Sequence, residues 1–212
     1  MGNIIANIIT GIIKIIISPL PRLHKNRILA RILGKMEQSG TTEIKTPRGN
    51  IKLNSLKGVY AAKRVEKFWD DEPELLEWIN QFREGETFWD IGSNIGIYSL
   101  FAGTNPKITV YSFEPSAFNF GLLVEHIRIN NMGDRIKPFC MAFSSTANIT
   151  SLLMKDTHTG HGRNLLMNSK SSFDYNPAFA QSTPVFSIDN FIDVFGLLAP
   201  DHIKIDVDGA EA

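Results

Sequence analysis

The sequence is nearly devoid of cysteine, Cys140 being the single one. No intrachain disulfide can form, which fits a reducing compartment such as the cytoplasm. Cys140 stands in the apolar run IKPFCMAF with no base nearby, so a buried core thiol is expected rather than a nucleophile. Acidic residues are missing from positions 1–36, where Lys14, Arg22, Lys25, Arg27, Arg31 and Lys35 give +6. Formal net charge is zero over the 212 residues, so the remainder carries −6. An acidic body speaks against nucleic acid as its partner, whereas the basic head suits an anionic surface such as a membrane. Internal repeats and low-complexity tracts are also absent. The apolar fraction, 43%, is ordinary and sufficient for a sizeable core.

The head, residues 1–36, reads as a basic amphipathic helical extension. In NIIANIITGIIKIIIS isoleucines fill most positions, while 3, 7, 10, 11, 14 and 18 form one narrow polar or small stripe at helical spacing. Pro19 and Pro21 end the helix. Sixteen helical residues span ~24 Å, short of the ~30 Å hydrocarbon core, and Lys14 interrupts the run. No secretory cleavage site is evident, and MGNIIA fails the myristoylation pattern at Ala6. An interfacial membrane helix over residues 3–36 is the leading expectation. A helix docked on the body or on another subunit, and an uncleaved anchor, are the alternatives. The segment RLHKNRILARILGKM continues the amphipathic, basic character.

Residues 37–212 form the second region. TTEIKTPRGNIKLN alternates around PRGN and predicts a β-hairpin. DDEPELLEWINQFREG predicts a helix capped by Asp70 or Asp71, with Pro73 in its first turn, Leu75, Ile79 and Phe82 inward, and Gly85 as its stop. Strands and helices then alternate. TFWDI leads into a helix around 95–102. KITVYSF leads into SAFNFGLLVEHIRINN, with Phe120, Leu123, Val124 and Ile127 expected inward, and RIKPFCMAF follows as a strand. Such alternation means a parallel sheet covered by helices. Residues 144–184 are polar and irregular and predict a long excursion of the kind that is often functional, with a short hairpin near ITSLLM and STPVFSI, and IDNFIDVFG and HIKIDVDGAEA supply a last helix and strand.

The turn after TFWDI carries the chemistry. A dinucleotide fingerprint needs G-x-G-x-x-G. Here Asp90-x-Gly92-x-x-x-Gly96 places a carboxylate at the strand end and Asn94 where the middle glycine would stand. A carboxylate suits a cationic ligand better than a pyrophosphate. S-adenosylmethionine bears an ammonium, a sulfonium and no phosphate. Gly92 lets the chain pass close under a ligand, and Gly96 lets the helix pack tightly. Glu114, in VYSFEP, ends the next strand and is placed to accept both ribose hydroxyls, and Pro115 starts the turn into a helix. Asp90 and Glu114 as simple helix caps are the bland alternative.

FWDIGSNIGIYSL, VYSFEPS, IKPFCMAFSS and IKIDVDGAE, in this order, resemble the FkbM-type S-adenosylmethionine-dependent methyltransferases. The resemblance runs from about Glu72 to the end, and DIGSNIG and KIDVDGAE are its most specific parts. It implies a class I methyltransferase fold, a Rossmann-like α/β three-layer sandwich, and O-methylation of a hydroxyl on a sugar, lipid or natural-product acceptor. It also implies that Asp90, Gly92, Ser93, Asn94 and Gly96 line the methionine part and that Glu114 holds the ribose. The chain departs from the family after the third strand. Ser144 and Ser145 stand where an acid commonly reads adenine, leaving backbone and Phe143 for that task. It also stops at Ala212, so the family's remaining strands are missing and a C-terminally truncated domain with strand order 3-2-1-4 is expected.

Asp206, at the end of the fourth strand, is the candidate catalytic base, with Asp208 and Glu211 next. A structural carboxylate, ordering the VDGAE turn or the cofactor's ammonium, is its alternative role. His158 and His161, in a polar loop, are weak metal ligands by spacing, so no metal is expected and the loop reads as substrate-facing or plainly solvated. An NAD-dependent oxidoreductase and a non-catalytic membrane-associated fragment are the rival functions.

Overall fold

The computed structural model describes residues 2–167, 176–197 and 199–207, with side chains from residue 4 onward. The chain forms two compact units, Met1–Gly40 and Thr41–Ala212. The first holds helices α1 (Gly2–Ile17) and α2 (Arg22–Ser39). Ile4, Ile5, Ile8, Ile9, Ile12, Ile15 and Ile16 are 51% to 73% exposed, so α1 presents apolar surface to solvent around most of its girth. No helix among the described residues is long and apolar enough to cross a membrane.

The second unit opens with the expected hairpin, β1 (Thr41–Thr46) and β2 (Gly49–Asn54), paired antiparallel with Ile44 opposite Ile51. Helix α3 (Val59–Glu66) follows, in a stretch where no element was expected. It buries Ala61 and Val65. Helix α4 (Pro73–Asn80) is shorter than its sequence implied. Glu72, not Asp70 or Asp71, is the N-cap residue and makes no side-chain cap bond, and the helix ends well before Gly85. Pro73 at its start lacks only an N–H that would have had no helical partner. Leu76, not Leu75, shares the buried face with Ile79.

Strands β3 (Thr87–Ile91), β4 (Thr109–Phe113) and β5 (Ile136–Phe139) alternate with helices α5 (Ile97–Ala102) and α6 (Ala117–Ile129). Short β6 (Ala142–Phe143), β7 (Asn148–Met154), β8 (Leu165–Leu166) and β9 (Phe179–Phe186) follow. Helix α7 (Ile188–Phe195) and β10 (His202–Ile205) complete the described elements. The main sheet has the order β10-β3-β4-β5, all parallel, which is the 3-2-1-4 arrangement expected from the sequence.

The two-residue period of the strands separates two cores. Phe88, Val110 and Ile136 face α4, α5 and α6. Trp89, Ile91 and Phe113 face the other way, against Phe191 of α7 and Phe143 and Phe186 of the second sheet. Helices on one face and α7 with the small sheet on the other make the three layers. RIKPFCMAF is not one strand. It breaks at Cys140 and Met141, so that β5 joins the main sheet while β6 pairs with β9 in the order β6-β9-β7-β8. Cys140 is consequently half-buried rather than sealed in a core.

Helix α6 turns Leu123 and Ile127 inward as expected, with Phe120 half-buried against the same core, but its buried face is wider and shifted away from Val124. Its buried residues are Asn119, Leu122, Leu123, His126 and Ile127, while Val124 is 39% exposed. Two of the inward positions are polar, and each is bonded. His126 Nε2 accepts from the Asn54 amide at 2.9 Å, and its Nδ1 donates to the Ile95 carbonyl at 2.8 Å. Burial holds the His126 imidazole below its ordinary pKa, favouring the neutral form those bonds require.

Candidate active site

In an open parallel sheet, ligands settle beyond the carboxyl ends of the strands, where neighbouring connections leave in opposite directions. Here that place is between β3, which leads across to β4, and β10 on its other side. A cavity of about 570 Å³ lies there, within the roughly 300–1,000 Å³ usual for small-molecule sites. Gly92, Asn94, Glu114, Pro115, Phe143 and Asp206 are on its wall, so six of the sequence-predicted residues converge on one space.

The turn after β3 is built by backbone geometry. Gly92 (φ 81°), Asn94 (φ 51°) and Gly96 (φ 87°) all adopt positive φ. The amides of Gly92 and Ser93 both donate to the Phe113 carbonyl, tying the turn to the end of β4. A Cβ at Gly92 would stand 2.0 Å from the Asp206 carbonyl oxygen, so the turn passes directly against the chain leaving β10. Gly96 is not on the cavity wall. It caps α5, and a Cβ there would meet Leu123 Cδ1 at 2.3 Å. It lets α5 and α6 close on each other and has no direct part in lining the cavity.

Glu114 is 4% exposed and reaches the cavity from the tip of β4. Its Oε2 accepts from the Asn94 amide at 2.8 Å and its Oε1 from the Ser116 amide at 2.9 Å. Both oxygens are held in place, with the Asn119 side chain as a further hydrogen-bonding neighbour of the carboxyl. Burial pushes the carboxyl up to about 7, against the downward pull of the Ser116 and Asn94 amides.

Asp90 is placed differently from the sequence expectation. It shares the inward face of β3 with Phe88, is fully buried, and is absent from the cavity wall. The hydroxyl of Ser99 donates to its Oδ2 at 2.6 Å, and Ser112 donates to Ser99 in turn at 2.7 Å. Lys204 of β10 brings its ammonium to 3.4 Å from Oδ1. The carboxylate is thus neutralised from within the fold and braces the turn from below. Lys204 also lies 3.3 Å from Asp206 Oδ2. Burial alone would lower the Lys204 ammonium, but Asp90 and Asp206 outweigh it and hold its pKa above the ordinary value.

Asp206 is exposed at the cavity wall, its amide donating to the Ile91 carbonyl. Asp208 and Glu211 lie outside the described residues. Ser93 is buried beside the turn and lines a small adjoining pocket. Phe143 stacks near Trp89, ring centroids 5.9 Å apart at 18°, and contributes an apolar wall. His158 pairs with Asp156, while His161 packs edge-on to Tyr60 with centroids 5.0 Å apart. His161 therefore ties the loop to α3 at the cavity wall, whereas the His158–Asp156 pair is local to the loop. Asn119 secures that loop twice, accepting from the Gly160 amide at 2.7 Å and donating to the His161 carbonyl at 2.9 Å. Among the described residues no cluster of His, Cys, Asp and Glu has a metal-binding arrangement.

The sequence reading missed α3, whereas the loop around His158 and His161 was expected to be substrate-facing or plainly solvated. Tyr60, Lys63 and Arg64 of α3, with Lys67 just past its end, line the cavity, and their 3-and-4 spacing was the available signal.

The residues fit S-adenosylmethionine. Asn94 Oδ1, His161 Nδ1 and Asn164 Oδ1 belong to wall residues, are buried, and lack a hydrogen-bond partner. Each such atom costs about 1–3 kcal/mol unless a ligand satisfies it. Glu114 offers two anchored acceptors, as a ribose diol needs, and Phe143, Leu152 and Leu166 give apolar surface for a base.

Fold and site together define a Rossmann-like class I methyltransferase domain. The family model of the FkbM methyltransferase domain matches residues 90–212. The chain belongs to this family of S-adenosylmethionine-dependent methyltransferases, and the NAD-dependent oxidoreductase alternative falls with that assignment. No curated protein matches the sequence. Among solved structures, P. horikoshii TYW2 in complex with MeSAdo is 21% identical, with 59% of this chain and 49% of that chain covered and a TM-score of 0.36. The SAM-dependent methyltransferase from Agrobacterium tumefaciens is 13% identical, with coverage of 48% and 32% and a TM-score of 0.34. Trm5b from Pyrococcus abyssi is 18% identical, with coverage of 47% and 27% and a TM-score of 0.33. The chain spans less than half the length of each, and nothing about its substrate is taken from them.

Proposed function

We propose that the protein transfers a methyl group to a hydroxyl of a small acceptor, on a sugar, lipid or natural-product scaffold. The anchored carboxylate of Glu114 on the cavity wall is the observation that carries the cofactor side of this reading. When bound, S-adenosylmethionine supplies an electrophilic methyl group on a positively charged sulfur. Glu114 would accept the ribose hydroxyls, and Asn94, His161 and Asn164 would give their orphaned atoms to the nucleoside or amino-acid portion.

The protein's own contribution to chemistry is alignment, exclusion of water and proton removal. Asp206 is the base in this reading. It borders the cavity, and the Lys204 ammonium restrains Oδ2, which leaves the other oxygen to take the acceptor's hydroxyl proton. The acidic balance of residues 37–212 favours a small acceptor over nucleic acid. Incubation with methyl-labelled cofactor and panels of hydroxylated glycans, lipids and RNA tests this. Label in a small acceptor, lost in Asp206→Asn, supports it, and label in RNA alone refutes the acceptor class.

The first unit is read as a membrane-surface element. Seven exposed isoleucines on α1, six cations and no acid in residues 1–36 are the combination that favours an anionic bilayer surface.

A further inference from the structure

Helix α3 has two faces. Ala61 and Val65 enter the core, while Tyr60, Lys63 and Arg64, with Lys67 just past the helix end, face the cavity. The charges there are unevenly compensated. Lys67 lies 3.6 Å from Asp71, and Arg64 spends its Nε on the neutral Gly160 carbonyl at 2.8 Å. No carboxylate among the described residues lies within ion-pair distance of Lys63 or Arg64. The acids of the cavity are engaged elsewhere, Glu114 by backbone amides and Asp206 by Lys204. Arg64 and Lys67 also border the small pocket beside the Gly92–Asn94 turn. One end of the site therefore offers carboxylate acceptors, and α3 offers unspent cationic donors.

We propose that α3 forms an oxyanion subsite, in which Lys63 and Arg64 bind a carboxylate or phosphate group of a ligand in the cavity. Arg64 keeps its two terminal nitrogens for a bidentate contact, and Lys63 adds a mobile ammonium. Two ligands offer this chemistry: the cofactor, through its amino-acid carboxylate, and an acidic acceptor. The identity of the anion rests on the methyltransferase reading, but the existence of the subsite does not. A purely structural role is the competing account, since basic residues in a last turn also complement the helix dipole.

Calorimetry on the full chain separates these. S-adenosylhomocysteine carries the carboxylate, 5′-methylthioadenosine lacks it, and inorganic phosphate is titrated into protein saturated with S-adenosylhomocysteine. Lys63→Gln, Arg64→Gln and the charge-retaining Arg64→Lys are compared with wild type, with circular dichroism confirming the fold. A roughly tenfold loss for S-adenosylhomocysteine, with methylthioadenosine unchanged and Arg64→Lys partly restored, supports the subsite and assigns it to the cofactor. Unchanged nucleoside binding, with phosphate binding present in wild type and lost in the Gln variants, supports it and assigns it to the acceptor. If no ligand distinguishes the variants from wild type, the proposal is overturned. Should wild type bind neither nucleoside, the methyltransferase reading fails instead, and the phosphate titration alone decides the subsite.

Discussion

The Lys204 ammonium sits 3.4 Å from Oδ1 of the fully buried Asp90, and this pair joins the ends of β10 and β3 beneath the candidate site. Removing one member leaves the other charged and unpaired in the interior. Lys204→Met should lower unfolding free energy by about 3–5 kcal/mol. Adding Asp90→Asn should recover part of the loss. Denaturant titrations of the two single variants and the double variant measure the coupling, and strictly additive losses would show that the pair does not interact.

Glycine is required at two turn positions for different reasons, and the penalties should differ. At Gly92 an added methyl meets the Asp206 carbonyl, which is backbone and cannot turn aside. At Gly96 it meets the far end of Leu123, which can rotate. Both also strain a positive φ. Gly92→Ala should cost about 2–4 kcal/mol and Gly96→Ala about 1–2 kcal/mol by chemical denaturation. The reverse order would contradict the contact pattern.

Glu114 makes stability depend on pH with a defined sign. Its folded pKa of about 7 lies above the ordinary 4.5, so the folded state holds the proton more tightly. The stabilisation is complete below pH 4.5 and is lost as pH rises through 7, by about 3 kcal/mol at most. The stability difference between wild type and Glu114→Gln should therefore move against wild type across that window. Ribose hydroxyls prefer the ionised carboxylate as acceptor, so S-adenosylhomocysteine should bind more tightly at pH 8 than at pH 6, and the Gln variant should lose this dependence.

Flotation with phosphatidylserine-containing vesicles tests the first unit. The full chain should float, more weakly at high salt, and deletion of residues 1–36 should abolish flotation. Flotation by the shortened chain would refute a membrane role for these helices.

Strand order and the converging turn were legible in the sequence because they follow from periodicity and from fixed positions at strand ends. Glu114 was placed by its spacing after an apolar strand. Asp90 was misplaced because its partner, Lys204, comes from a strand far along the chain, and no local pattern announces a buried ion pair. The polar part of the buried face of α6 is hidden from the sequence for a related reason. Asn119 and His126 look like surface residues until the Gly160 amide, the Asn54 amide and the Ile95 carbonyl are brought to them. Helix α3 was overlooked because its apolar face is only Ala61 and Val65, too short for a hydrophobic pattern to stand out.

The central claim is that the Glu114 carboxylate, fixed by the Asn94 and Ser116 amides, receives the ribose of an adenosyl cofactor. Calorimetric titration of S-adenosylhomocysteine and NAD into wild type and Glu114→Ala measures it directly. The account predicts binding of S-adenosylhomocysteine but not NAD by wild type, and a loss of about tenfold or more in the variant. Equal affinity of both proteins for S-adenosylhomocysteine, or binding of NAD alone, would contradict it.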